Sequence, residues 1–309
     1  MAYRIEEKLV IGVASSALFQ LDEADSVFRK EGLNAYRDYQ YEHQHDILNT
    51  GVAFPFVKRL LAMNQFFPDT QPIEVVLLSH NDPDTGLRVF YSIQHYGLNI
   101  IRAAFTTGDS PFKYIPAYNV SLFLSANSGD VRQAMKEGYP AGQVLASAAE
   151  DDPNNPGLCI AFDFDGVIAD SSAEEVYQKE GIEKFYSAET EKAQIPHTPG
   201  PLADLFSKLA KLHKLEDERV KNDPKYRRYM KMAIVTARSA PAHERVVTTL
   251  RKWDIPVDQT FFLGGMDKGR ILSILRPHIF FDDQRHPHLD ASSPFTPSVH
   301  IPLDSVKTN

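Results

Sequence analysis

Short runs rich in Val, Ile, Leu and Phe alternate along this chain with longer stretches whose apolar positions recur at helical spacing. Continuous apolar runs closed by polar residues read as strands buried on both faces. Their alternation with amphipathic helices predicts an α/β fold around a largely parallel sheet. In the second half the predicted strands are 158–163, 232–236, 259–263 and 278–282, each ending at polar residues. The first two flank a stretch rich in Glu, Lys and Tyr, broken by Ile195-Pro196-His197-Thr198-Pro199-Gly200-Pro201. A helix cannot run through that cluster. The pattern predicts a short helical insertion over about 171–201, a helix over 202–215, and a charged, solvated connection over 216–229. The acids, Asn and Pro of Glu150-Asp151-Asp152-Pro153-Asn154-Asn155-Pro156-Gly157 suit neither helix nor strand. They mark a linker between two expected domains, 1–150 and 151–309.

The two halves resemble each other. Ala24-Asp25-Ser26-Val27-Phe28-Arg29-Lys30-Glu31-Gly32-Leu33 matches Ala173-Glu174-Glu175-Val176-Tyr177-Gln178-Lys179-Glu180-Gly181-Ile182 at an offset of 149 residues, which also pairs Leu9 with Leu158 and Leu60 with Leu209. Further along the offset becomes 157, pairing Ser79 with Thr236, Val89 with Val246, Leu98 with Ile255 and Gly108 with Gly265. The change falls where the second half carries its charged connection, a place where a loop tolerates extra residues. The expectation is an internal duplication.

Composition removes several function classes. With 43% apolar and 24% charged residues over 309 positions, the chain is neither disordered, collagen-like nor a disulfide scaffold. A net charge of -8 argues against a nucleic-acid partner, which calls for clustered Lys and Arg. Cys159, the single cysteine, lies in an apolar run and reads as a small buried hydrophobe rather than a reactive thiol. The opening MAYRIEEKLVIG shows no apolar signal region, and runs such as Val75-Val76-Leu77-Leu78 fall far short of the roughly 18 apolar residues that span a bilayer. A soluble cytoplasmic protein with no membrane association is expected.

The candidate chemistry sits at strand ends. Asp163 and Asp165 of Phe162-Asp163-Phe164-Asp165-Gly166-Val167 follow the first predicted strand of the second half, where the turning chain lets both carboxylates converge on one ligand. Thr236 and Arg238 end the next, offering a hydroxyl and a guanidinium suited to phosphate oxygens. Lys268 follows the third, in Gly264-Gly265-Met266-Asp267-Lys268-Gly269, and Asp282-Asp283 end the fourth. Each alone reads as a cap, a turn or a solvated side chain. Together, outside the carboxyl ends of parallel strands, they point to a site for phosphate and a hard cation. Arg285-His286-Pro287-His288, beside the acidic pair, reads as a solvated loop.

This quartet resembles the four motifs of the haloacid dehalogenase superfamily of phosphohydrolases. The whole chain is similar to the cytosolic type I 5′-nucleotidase family, which the first half matches through Ser79-His80-Asn81-Asp82-Pro83, Ile93-Gln94-His95-Tyr96-Gly97-Leu98 and Leu122-Phe123-Leu124-Ser125-Ala126-Asn127. The resemblance implies a three-layer Rossmann-like fold with a small helical cap, here the insertion at about 171–201. It also implies Mg²⁺-dependent hydrolysis of nucleoside 5′-monophosphates, AMP- or IMP-like, through an aspartyl phosphate. In that scheme Asp163 is the nucleophile and Asp165 the general acid and base, while Thr236 and Lys268 bind the phosphoryl oxygens. Asp163, Asp165 through its carbonyl, Asp282 and Asp283 hold the metal. Arg238 is a candidate substrate contact. Tyr177, Phe185 and Tyr186 are candidate nucleobase contacts, although their helical spacing favours core packing.

The offsets place Ala14 at the position of Asp163, Ser16 at Asp165, Ser125 at Asp282 and Ala126 at Asp283, so every acid is lost from the first half. Ser79, the loop Thr106-Thr107-Gly108-Asp109-Ser110 and Lys113 remain. The first half is therefore expected to be structural, packing on the active half or forming a dimer surface in a homo-oligomer, with a nucleotide effector site there as the sharper alternative. Two other readings stay open: a phosphatase for another phosphomonoester such as a sugar phosphate, and a non-catalytic nucleotide sensor.

Overall fold

In a computed structural model, which describes residues 3–303, the most buried strands form where the sequence places its uninterrupted aliphatic runs, and shorter strands form on mixed sequences such as Gln259-Thr260-Phe261-Phe262 and Ser298-Val299-His300. The chain divides after Val144 into two units. Unit 1 holds β1 (Leu9–Val13), β2 (Ile73–Ser79), β3 (Arg102–Phe105), β4 (Val120–Ser125) and β5 (Ala141–Val144). Unit 2 holds β6 (Leu158–Phe162), β7 (Met230–Thr236), β8 (Gln259–Phe262), β9 (Ile279–Asp282) and β10 (Ser298–His300).

Within unit 1 the spatial order is β3-β2-β1-β4-β5 and within unit 2 it is β8-β7-β6-β9-β10. Each unit thus arranges its own strands third, second, first, fourth, fifth, and every pair inside a unit is parallel. The expected α/β fold with a mainly parallel sheet is what forms. Parallel strands need covered faces, and the central β1 and β6 are buried at every position. In unit 2 the Phe162 ring stacks on Phe281 at 5.1 Å and meets Phe206 edge-on at 5.0 Å, which ties helix Ala203–Asn222 to the sheet.

The two sequence offsets align elements as well as letters. An offset of 149 carries β1 onto β6, and an offset of 157 carries β2 onto β7 and β3 onto β8. Backbone irregularities follow. Gly32 kinks the helix Asp22–Glu42 at φ +85°, and Gly181 separates helices Ser172–Glu180 and Ile182–Glu191 at φ +83°. Asn119 and Arg276, also 157 apart, both take the left-handed conformation, which disfavours a non-glycine residue by about 1–2 kcal/mol.

The segment 216–229 is only in part the solvated connection expected: 218, 220–225 and 227 are exposed, whereas Glu216, Tyr226 and Tyr229 are buried. Helix Ala203–Asn222 continues seven residues beyond the expected 215, and Glu216 is fully buried. Its carboxylate accepts from the backbone N–H groups of Tyr229 (2.7 Å) and Met230 (2.9 Å) and from the Tyr226 hydroxyl. A charged stretch reads as solvated only while its charges lack partners; here a carboxylate satisfies the donors that open β7. Cys159 is buried, and burial pushes its thiol up to about 11, as its apolar run suggested. Among the described residues no helix is long and apolar enough to cross a membrane.

Candidate active site

Asp163 emerges where β6 ends. Its N–H donates to the Phe281 carbonyl (2.8 Å), and its Oδ1 accepts from the Phe164 N–H (2.7 Å), which fixes the rotamer. Oδ2 lies 2.7 Å from the Lys268 ammonium, which also reaches Asp282 Oδ2 at 2.8 Å. Lys268 opens helix Lys268–Leu275, whose N-cap Asp267 accepts from Gly269 N–H at 2.8 Å. Asp282 ends β9 and is held by the Gln284 N–H (2.8 Å). Lys268 is 1% exposed and Asp282 0%, so the bridge is sealed from water.

The charges do not balance. Burial opposes the Lys268 charge, but Asp163 and Asp282 outweigh it and raise the lysine above its usual range. Burial raises Asp282 too, yet Lys268 and His288 hold it below the ordinary carboxylate value. Asp163 is pushed up to about 7 by burial, with Asp282 and Asp165 adding to it against Lys268. Asp283 is pushed up to about 9 by burial and by the charges of Asp163 and Asp282. One lysine is too little positive charge for these acids, and Asp283 Oδ1 is buried without a hydrogen bond. Ligand atoms of Asp163, Asp282 and His288 lie within 4.8 Å of one another. Clustered, under-compensated oxygen donors fit a hard divalent cation.

Gly166 makes this clustering possible. It turns at φ +70°, and a Cβ there would lie 2.5 Å from Asp283 Oδ2. The Asp165 side chain points elsewhere: Arg238 Nε and Nη2 grip its two oxygens at 2.7 Å each. Its carboxylate is therefore outside the metal-ligand cluster. Arg238 is 4% exposed, and its Nη1 bonds Glu189 and the Ala242 carbonyl (3.3 Å). The guanidinium expected to face substrate is engaged with protein. Thr236 is buried at the end of β7, its Oγ1 accepting from the Arg238 N–H at 3.3 Å.

Of the three aromatic candidates, Phe185 is buried against Ala173 and Ala242, so core packing prevails there. Tyr186 bonds Ser239 Oγ at 2.8 Å, and Tyr177 is 44% exposed. Sequence reasoning missed Glu189, His197 and Arg245. Glu189 lies one helical turn after the buried Phe185, a spacing the sequence shows. Reading 285–288 as a solvated loop holds for His286 but not for His288, whose Nδ1 lies 3.3 Å from Asp282 Oδ2.

Unit 1 keeps the loops of this site. The Asn81 N–H donates to Ser79 Oγ (3.1 Å) as the Arg238 N–H does to Thr236, and the Asn127 N–H to Ser125 Oγ (3.1 Å) as the Gln284 N–H does to Asp282. The charged side chains differ. Pro111 stands at the Lys268 position, and the buried Phe112 ring packs on Phe123 at 5.1 Å, whose counterpart Phe280 underlies the Lys268 ammonium in unit 2. Lys113 is exposed, over the Tyr114 ring. His80 sits 3.5 Å from Asp130, and that contact raises its pKa.

Comparison with known proteins agrees with the geometry. A 5′-nucleotidase family model matches residues 1–308. The chain belongs to the 5′-nucleotidase family. Among the family's curated proteins, cytosolic 5′-nucleotidase 1B of Homo sapiens is 34% identical over 284 residues, covering 89% of this chain and 46% of the human protein. The chain thus spans about half the length of that relative. No solved structure matches it significantly.

Proposed function

We propose that the chain is a Mg²⁺-dependent, cytosolic 5′-nucleotidase that hydrolyses nucleoside 5′-monophosphates, AMP- or IMP-like, to nucleoside and phosphate. The observation that carries this reading is the buried Lys268 bridge between Asp163 and Asp282, beside a second carboxylate, Asp165, two residues on. It is supported by family membership and by what the human relative's name says of that protein.

Asp163, fixed by the Phe164 N–H, attacks phosphorus; the Asp163–phosphorus bond forms as the phosphorus–5′-oxygen bond breaks. Asp165 gives a proton to the departing 5′-oxygen. It then takes one from the water that attacks the aspartyl phosphate, which releases phosphate and restores Asp163. Lys268 and Thr236 bind the phosphoryl oxygens, and positioning and charge compensation carry most of the catalysis. Mg²⁺, held by Asp163, the Asp165 carbonyl, Asp282 and Asp283, would offset the repulsion between carboxylate and phosphate.

Unit 1 in this reading is a non-catalytic copy from an internal duplication. Phe112 covers Phe123, the unit 1 counterpart of the Phe280 ring beneath Lys268, which favours a scaffold over an effector site. The test is phosphate release from a panel of nucleoside monophosphates and sugar phosphates, with Mg²⁺ or EDTA, beside Asp163→Asn. Release from nucleotides that requires Mg²⁺ and Asp163 supports the proposal. Faster release from sugar phosphates moves the substrate, and no release from any ester leaves a nucleotide sensor.

A further inference from the structure

A chain of buried ion pairs runs from Asp165 into the helical insertion. Arg238 grips Asp165 with Nε and Nη2 (2.7 Å each) and reaches Glu189 with Nη1. Glu189, on helix Ile182–Glu191, is 3% exposed; its other oxygen accepts from Arg245 Nη1 at 2.7 Å, and His197 Nε2 lies 3.2 Å away. Arg245 Nε donates in turn to the Ile195 carbonyl (2.9 Å). Burial opposes the Glu189 charge, but His197 and Arg238 outweigh it and hold the carboxyl at about 2, so the residue stays ionised. A buried ion pair retained without need is a poor stabiliser, since an apolar pair of similar volume does as well. This one joins the candidate general acid to the segment expected to cover the site.

We propose that Glu189 is a positioning residue: from the insertion it fixes the plane of the Arg238 guanidinium, and Arg238 sets the orientation from which the Asp165 carboxyl serves the leaving oxygen. This rests on the reading of Asp165 as general acid and base. A planar fork held at one edge can present two parallel N–H groups to a carboxylate only in one orientation. With Glu189 neutralised, Arg238 loses its second anchor, and Asp165 loses its fixed approach to the 5′-oxygen. The proton inventory is unchanged: Asp165 still gives one proton to the leaving oxygen and takes one from water.

The effect depends on the leaving group, which separates positioning from folding. A nucleoside 5′-oxygen needs a proton as it departs, whereas 4-nitrophenolate and acetate do not. Glu189→Gln is measured for kcat and KM on a nucleoside monophosphate and on 4-nitrophenyl and acetyl phosphate. General acid catalysis is worth about 10²–10⁴-fold, so partial misplacement is expected to lower kcat/KM on the nucleotide about 10-fold or more, with kcat/KM on both activated esters within about twofold, because kcat/KM ends at formation of the aspartyl phosphate, before the shared step in which Asp165 acts as base. Arg238→Lys, which keeps charge but not the fork, is expected to show the same selectivity and decides the matter if Glu189→Gln does not fold. Equal loss of kcat/KM on all three esters, or no loss on any, overturns the proposal. Asp165→Asn in the same panel separates the layers: if it shows no leaving-group selectivity, the general-acid reading fails; if it alone shows selectivity, only the role of Glu189 fails.

Discussion

Ala14 and Asp163 end equivalent strands in two units with the same five-strand order. Their neighbours bond in the same way, down to the Ala14 N–H donating to the Leu124 carbonyl and the Asp163 N–H to the Phe281 carbonyl, both at 2.8 Å. The difference between the units therefore lies in a handful of side chains. Unit 2 buries an under-compensated set of acids around one lysine. Unit 1 fills the corresponding ground with Phe112, Ser16 and Ser125, the last two 3.4 Å apart at Oγ. An α/β frame supplies loops at strand ends; whether they perform chemistry depends on charges that the frame holds against their own preference for water.

Several changes sharpen this contrast. Asp163→Asn is expected to lower phosphate release on the order of 10⁴-fold or more, as loss of a nucleophile does. Ser125→Ala, at the Asp282 position of unit 1, should leave release within about twofold. Lys268→Met removes the only lysine between two buried carboxylates. It should lower kcat by about 10²–10³-fold and destabilise the protein by about 3–5 kcal/mol in urea titrations. Phe112→Ala, its structural counterpart, should cost a similar 3–5 kcal/mol of stability while kcat of the folded protein is unchanged. If it impairs turnover as severely as Lys268→Met, the units are not functionally distinct.

Glu216→Gln tests a part of unit 2 that is structural rather than catalytic. Weakening its bonds to Tyr229 and Met230 should cost about 1–3 kcal/mol with kcat intact. The smallest effect is on pH dependence. Asp163 and Asp283 bind protons more tightly folded, at about 7 and about 9, than at the ordinary value near 4 of an unfolded chain. Stability without metal should thus be lost as pH rises from about 4 through 7 and 9. Thermal melts in EDTA and in Mg²⁺ check this: Mg²⁺ should raise Tm more at pH 8.5 than at pH 5.5, and the reverse would remove the charge excess from the account.

Strand positions are legible because parallel strands covered on both faces are almost wholly apolar, so β6, β7 and β9 fall within a residue or two of their sequence limits, while the half-exposed β8 is marked by its Phe261-Phe262 pair. The acids and Lys268 were legible because their order along the chain is set by the order of strand ends. Glu216 was not, because a run of charges looks the same whether its members face water or cap a backbone. The contacts of Glu189 with Arg238 and Arg245 join distant segments, and local pattern carries no sign of whether an exposed-looking charge will meet a partner 49 or 56 residues away. Arg238 shows the same limit: its position was read correctly as a strand end, but not that Asp165 and Glu189 would take its donors.

In the proposed mechanism chemistry belongs to unit 2 and passes through Asp163. Quenching the protein during turnover of a nucleoside monophosphate, reducing any aspartyl phosphate with borohydride and mapping the peptides by mass spectrometry tests it directly. Homoserine at position 163 and unmodified peptides throughout unit 1 are expected. Reduction at another residue, or sustained turnover that leaves Asp163 unmodified at every quench time, would contradict it.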